Sequence, residues 1–133
     1  MLRSSPAARL AASLQDPADR QALTTTCRQI LAHCRPATLA DIATELERLS
    51  LHYPQLRRTS AEAALVVRDW AQDLAGYPPD LIAEAARQWR NSTAERYPTP
   101  GQLKALIAGI WEHRQRLGRR SAEWLGLMEG ERD

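Results

Sequence analysis

A chain of 133 residues fits one domain of ordinary size, and a hydrophobic fraction of 44% is enough for a buried core. Aromatic residues make up only 5%, without phenylalanine, so small and aliphatic side chains must build that core, which favours helices over a sheet-rich fold. The net charge of +2 does not require a nucleic-acid partner, and no apolar stretch approaches the roughly 20 residues of a membrane span.

The first sixteen residues allow two interpretations. Residues 7–14 are rich in alanine and leucine, which suits either a short helix or a mobile N-terminal segment. Residues 1–14 contain arginine and serine but no acid, as in a mitochondrial presequence, although an alanine- and arginine-rich bacterial N-terminus has the same composition. We favour the bacterial interpretation and predict a cytoplasmic protein.

Capping and breaking residues predict the helices that follow. Helix starts are marked by a capping side chain or by proline in the first turn, at Asp16-Pro17, Thr38, Ser60, Pro79 and Thr99-Pro100. Helix ends are marked by Pro36, Tyr53-Pro54, Gly76, Asn91 and Gly118. The start at Thr99 is the sharpest, because Pro100 stands at the first helical position and Gln102 completes a capping box. A last short helix is expected over 121–128.

Between these signals, apolar residues recur at helical spacing. In the segment from residue 60, Trp70 lies on the flank of a predicted core face formed by Ala61, Ala64, Leu65, Ala71 and Leu74. Five to six helices with short connections marked by proline predict an all-α fold, as a single compact bundle or an orthogonal array. We place this domain at residues 17–118, between the N-terminal segment 1–16 and a basic, amphipathic tail at 119–133.

The residues that could carry chemistry do not form a known constellation. The scattered glycines make no phosphate-binding loop, and His33, His52 and His113 lie in different elements. Cys27 and Cys34 are seven residues apart on one helix, which separates them by about 10 Å, too far for a disulfide, and they lack metal-ligand spacing. We therefore expect a protein that is not an enzyme and that has no cofactor and no bound metal.

A basic cluster follows the start of the last long helix. Its members are the candidate nucleic-acid-binding residues, namely Lys104, Arg114, Arg116, Arg119 and Arg120. Cations concentrated at the end of a helix can contact phosphates, which would make the affinity depend on salt. They can equally complement the dipole at a helix C-terminus, and both interpretations stay open.

Apolar side chains beside the cluster are candidates for binding a partner protein, namely Trp111, Trp124, Leu125 and Met128. Tryptophan near arginine suits an interface or the stacking of bases. Trp111 lies on the apolar stripe, so we favour a place at the edge of the core for it. The segment with Trp124, Leu125 and Met128 either binds a partner or folds back onto the domain.

Three blocks carry a resemblance to a known family. They are Trp70-Ala-Gln-Asp-Leu-Ala-Gly-Tyr-Pro-Pro-Asp-Leu81, Ala85-Ala-Arg-Gln-Trp89 and Tyr97-Pro-Thr-Pro-Gly-Gln-Leu103. Together they resemble the helical domain of phage and prophage replicative-helicase loader and inhibitor proteins, over residues 38–112, with Tyr97 where the family commonly has phenylalanine. The resemblance implies a non-catalytic replication adaptor that binds a hexameric replicative helicase and delivers it to, or withholds it from, single-stranded DNA. In such proteins a mobile terminal segment often engages the helicase, so the resemblance implies a contact through the tail after Gly118.

Two other functions also fit the residues. The first is a direct DNA-binding regulator whose helix from Pro100 lies on DNA, with Gln102, Lys104, Glu112 and Arg116 as the polar readers on its exposed face. The second is a helical scaffold that oligomerises through its tryptophan-bearing helices.

Overall fold

A computed structural model describes residues 5–53 and 57–132 of the chain, with side chains through residue 130. Over these ranges the protein has six helices and no strand, which confirms the prediction of an all-α fold. The helices are α1 Pro6–Ser13, α2 Pro17–Ala32, α3 Leu39–His52, α4 Ser60–Asp73, α5 Pro79–Arg90 and α6 Pro100–Arg132. No described helix is both long enough and apolar enough to cross a membrane.

The predicted helix starts are confirmed, although the side chain that caps α4 is Thr59 and not Ser60. The Thr99 backbone N–H donates to Gln102 Oε1 at 2.9 Å, and the Gln102 N–H donates back to Thr99 Oγ1 at 3.2 Å. Thr38 and Asp41 form the same reciprocal pair at the start of α3. Each pair satisfies two backbone donors that have no partner inside the helix. Of the predicted helix ends, Pro54 lies outside the described residues.

The expected end at Gly118 of the helix from Pro100 is wrong, because α6 continues through it to Arg132 and includes the segment 121–128, which was expected to form a separate short helix. Glycine inside a helix costs only about 1 kcal/mol relative to alanine, so the surrounding contacts decide whether the helix continues. Gly118 is buried, and a Cβ placed on it would lie 3.0 Å from the Cys34 Sγ. The glycine therefore allows α6 to approach the residues after α2 closely and does not terminate the helix. Residues 119–132 belong to α6.

The chain divides into two units. The first, which we call the central unit, is Arg35–Trp111 and contains α3, α4, α5 and residues 100–111 of α6. Helix α3 packs against both α4 and α5. The core of this unit is built by side chains from all four helices and the connection after α3, namely Ile42, Leu46, Leu49, Tyr53, Trp70, Leu74, Leu81, Ile82, Ala85, Ala86, Leu103 and Ile107.

Helix α4 packs with a different face from the predicted one. Trp70 is 6% exposed and belongs to the core, whereas Leu65 is 59% exposed and Ala61 and Ala64 are also exposed. Leu74 is buried as expected. Val66, Val67 and Ala71 pack against the same core, so the buried face of α4 is the one that contains Trp70, and Leu65 lies on the polar side of the helix. Burying the large indole removes more apolar surface from water than burying two alanines.

The second unit, which we call the terminal unit, combines Met1–Cys34 with Glu112–Asp133. Its described part consists of α1, α2 and residues 112–132 of α6. Ala7, Ala11, Cys27 and Trp124 form its buried core, and half-buried side chains pack around them, namely Leu14, Leu23, Leu125, Leu127 and Met128. Of the two alternatives for residues 7–14, the structure therefore has a helix for Pro6–Ser13, packed into a core.

Candidate partner and nucleic-acid surfaces

Three of the predicted phosphate contacts lie on one exposed side of α6, which we call the α6 arginine face: Arg116, Arg119 and Arg120. The Nη1 atom of Arg116 lies 3.5 Å from Glu112 Oε1 on the preceding turn. Within the described chain, Arg119 and Arg120 make no ion pair. An exposed pair such as that of Arg116 is weak and screened by salt, so all three cations can contact an anion.

The other two predicted phosphate contacts lie elsewhere. Arg114 is half-buried, and its Nη1 donates a hydrogen bond at 2.9 Å to the carbonyl oxygen of His33, the residue that caps the C-terminus of α2. A cation at that position complements the dipole of α2. The sequence left open a contact with the C-terminus of its own helix instead, but α6 continues to Arg132. Lys104 is half-buried and belongs to the central unit.

Both tryptophans that were candidates for partner binding are packed inside a unit. Trp111 is half-buried against the core of the central unit, with its ring centroid 5.8 Å from that of Tyr77. Trp124 is only 2% exposed, and its Nε1 donates to the Thr24 Oγ1 at 3.0 Å. The last segment was expected either to bind a partner or to fold back onto the domain. Trp124 packs into a core of the protein, as the second alternative predicts. A partner cannot contact its side chain directly.

Leu125 and Met128 remain accessible in a groove between α2 and the last turns of α6, which we call the α2–α6 groove. Its volume is about 430 Å³, and it is lined by Pro17, Arg20, Gln21, Thr24, Thr25, Arg28, Leu125, Met128 and Glu129. Arg20 is held in place because its guanidinium donates to the carbonyl oxygens of Ala11 and Leu14 at the end of α1. The groove combines an apolar patch with a polar rim, as a site for an amphipathic segment requires.

A second groove, of about 430 Å³, lies in the central unit and was not predicted from the sequence. It runs between α4 and the turn at residues 97–100, and we call it the α4–turn groove. Its lining combines aromatic, proline and charged side chains, namely Arg58, Val66, Asp69, Trp70, Asp73, Tyr97, Pro98, Thr99 and Pro100. From the sequence the proline-rich turn predicts only a helix start, and two acids one turn apart, such as Asp69 and Asp73, are common on a solvated helix face. Neither pattern alone indicates a groove.

Tyr97 organises the aromatic part of this groove. Its ring packs edge-on against Tyr53 and Trp70, with centroid distances of 6.0 and 5.9 Å. The Tyr97 hydroxyl donates to the carbonyl oxygen of Leu46 at 3.4 Å, and the Arg58 guanidinium carbon lies 5.0 Å from the Tyr97 ring centroid. Burial raises the pKa of the Tyr97 phenol, so the hydroxyl keeps its proton at neutral pH.

Charge is divided unevenly between the two units. Residues 35–111 contain nine lysines and arginines and nine acids, whereas the rest of the chain contains nine arginines and seven acids. The net charge of +2 therefore resides entirely in the segments of the terminal unit, which also carries the α6 arginine face. No group of three or more metal-ligating side chains occurs among residues 5–53 and 57–130.

Comparison of this chain with protein-family models, with curated proteins and with solved structures found no match. The resemblance to helicase loader and inhibitor proteins therefore rests on the three sequence blocks alone.

Proposed function

We propose that the protein is a non-catalytic DNA-replication adaptor that binds a replicative helicase and helps to load or inhibit it at single-stranded DNA. The observation that carries the proposal is that the resembling stretch, residues 38–112, nearly coincides with the central unit, Arg35–Trp111. Each of the three blocks contributes to the core of that unit, through Trp70, Ala85 and Leu103 for example. A stretch that resembles one domain of a family and also folds around its own core supports a common architecture.

The terminal unit supports a second part of this proposal, a contact with DNA. It carries the excess positive charge of the chain and, on α6, the exposed Arg116, Arg119 and Arg120. Single-stranded DNA is bound chiefly through its phosphates when sequence is not read, and a short row of arginines is sufficient for such contacts. Lys104 and Arg114 are not part of this contact in the proposal.

The helicase contact is assigned to the α2–α6 groove. Leu125 and Met128 supply its apolar surface, and the exposed Arg28 lies on its rim. A helix of the helicase with an apolar face and an acidic edge would be complementary to this groove. The contact is thus made by a folded helical surface and not by an extended tail.

The test is affinity capture from host lysate with the full-length chain, with and without nuclease. A chain stopped at Gly118 is unsuitable, because it would remove Trp124 from the core of the terminal unit. The adaptor function predicts that the replicative helicase is recovered in both conditions and that the isolated protein hydrolyses no nucleotide. If no replicative helicase is recovered in either condition, the proposal is wrong.

A direct DNA-binding regulator is the second candidate, favoured by the lack of any ion pair at Arg119 and Arg120 within the described chain. It predicts recovery of DNA alone, lost on nuclease treatment. Glu112 and Glu123 lie among the arginines on exposed positions of α6, which disfavours docking of the whole face in a groove of DNA. For this reason we rank it second.

A further inference from the structure

We propose that the α4–turn groove binds a short basic peptide segment of a partner protein, with an arginine or lysine side chain between Asp69 and Asp73. The inference rests on the proposed adaptor function, to which it adds a second contact with the partner. The groove belongs entirely to the central unit, and none of its lining residues lines the α2–α6 groove.

The aromatic part of the groove is held in position before any peptide arrives. The Tyr97 ring is fixed between Tyr53 and Trp70, and its hydroxyl is hydrogen bonded to the backbone of α3. The turn that follows contains Pro98 and Pro100, whose rings restrict the backbone. A preformed groove loses little conformational entropy on binding, which favours recognition of a short segment.

Asp69 and Asp73 give the groove its preference for a cation. They are one turn apart on α4, both are exposed, and neither has an ion pair within the described chain. Two like charges at this spacing destabilise a helix, and a cation bound between them removes the repulsion. The same two carboxylates repel phosphate, so the groove fits a protein segment and not DNA.

Arg58 limits which peptide can fit. Its guanidinium stacks on Tyr97 inside the same groove, a contact that is typical of cations on aromatic rings. Because this position already holds a positive charge, a second basic side chain is repelled there and attracted to the carboxylates on α4. A backbone carbonyl oxygen of the peptide can accept a hydrogen bond from Arg58. The groove therefore selects one basic residue flanked by an uncharged, apolar one.

The experiment is a titration of the full-length protein, followed by the indole N–H resonance of Trp70 in NMR spectra. The probe is acetyl-Ala-Arg-Leu-Ala-amide, and acetyl-Ala-Glu-Leu-Ala-amide is the control peptide. We expect a saturable shift with the arginine peptide only. We expect its affinity to fall about tenfold or more in the Asp69→Asn/Asp73→Asn variant, because a charged partner is lost.

The Glu47→Gln/Glu95→Gln variant is the matched control, since it removes two exposed charges from the same unit outside the groove. We expect it to bind the arginine peptide with unchanged affinity. The inference is overturned if the arginine peptide gives no saturable shift, if the glutamate peptide binds equally well, or if Asp69→Asn/Asp73→Asn leaves the affinity unchanged. Helicase capture that persists without peptide binding removes this inference alone. Peptide binding without helicase capture removes the adaptor function alone.

Discussion

The Trp124 indole donates a 3.0 Å hydrogen bond to the hydroxyl of Thr24, a residue 100 positions earlier in the chain. The Thr24 hydroxyl donates in turn to the carbonyl oxygen of Arg20 at 2.8 Å. The two buried polar groups are therefore both satisfied, as stable interiors require. This contact joins the last turns of α6 to α2 and makes residues after Gly118 part of a core.

Thr24→Val should destabilise the terminal unit. The substitution keeps the shape of the side chain but leaves the buried Trp124 N–H without an acceptor, which costs about 1–3 kcal/mol. Thr25→Val is the matched control, because the exposed Thr25 hydroxyl bonds only to a carbonyl on its own helix. Urea denaturation of both variants measures the difference. Equal free energies of unfolding for Thr24→Val and the wild type would show that the hydrogen bond contributes nothing.

Gly118→Ala should also destabilise the protein, against the usual preference of helices for alanine. The new Cβ would lie 3.0 Å from the Cys34 Sγ, and such overpacking costs about 1–3 kcal/mol. At Gly126, on the same helix, a Cβ meets nothing within 4 Å, so Gly126→Ala should stabilise by about 0.5–1 kcal/mol.

Cys34→Ala combined with Gly118→Ala removes the sulfur that the new methyl group meets. In this background, the alanine at position 118 should therefore no longer lower the midpoint temperature of thermal unfolding. A stabilising effect of Gly118→Ala alone would contradict the close approach of α6 to Cys34.

Arg119→Gln/Arg120→Gln should weaken binding of single-stranded DNA and reduce its salt dependence. Each lost phosphate contact lowers the slope of log affinity against log salt by about 0.7 for a single strand, so two contacts account for about 1.4. Arg68→Gln/Arg96→Gln removes two exposed charges from the central unit and should leave the slope unchanged. Fluorescence anisotropy with labelled oligothymidine at several salt concentrations gives both slopes. Identical slopes in the two variants would exclude the α6 arginine face as the DNA contact.

The Glu84 carboxyl should have an unusually low pKa. Hydrogen bonds from Arg87 and then from Gln88 lower the pKa of the Glu84 carboxyl from 4.5 to about 2. Because the folded pKa is depressed, this stabilisation is complete above pH 4.5 and is lost as the pH falls from about 4.5 to about 2. Arg87 is exposed and Glu84 is half-buried, so solvent screens the ion pair in part and salt should weaken it.

NMR titration of the side-chain carbonyl carbon of Glu84 measures this pKa directly. Arg87→Gln should return the pKa towards 4.5, whereas Arg68→Gln, on another helix, should leave it low. A pKa near 4.5 in the wild-type protein would refute the assignment.

Much of the fold could be predicted because helix starts are local. Thr38 with Asp41 and Thr99 with Gln102 specify a cap within four residues, and the structure has each of these caps. Helix ends and buried faces depend on distant residues. Glycine is typical of a helix end, but Gly118 lies close to Cys34, which is 84 residues earlier in the chain. No local sequence pattern reveals such a contact.

The candidate surfaces could be predicted only in part. Arg116, Arg119 and Arg120 were predicted as phosphate contacts, but they share a helix face only because α6 continues through Gly118, where the sequence predicts an end. Trp124 was equally suited to an exposed tail or a core, and only its partner Thr24 on another helix distinguishes the two. The α4–turn groove brings Asp69 on α4 to the same site as Tyr97, and this juxtaposition exists only in the folded chain.

The most direct test of the adaptor function is the affinity of the purified host replicative helicase for the full-length chain, measured by biolayer interferometry. We predict binding of the wild type and a loss of about tenfold or more in Leu125→Gln/Met128→Gln, which removes the apolar surface of the α2–α6 groove. Circular dichroism checks that this variant stays folded. Leu51→Gln/Leu65→Gln, at residues 80% and 59% exposed in the central unit, should bind as the wild type does. A wild-type chain that does not bind the helicase would contradict the account.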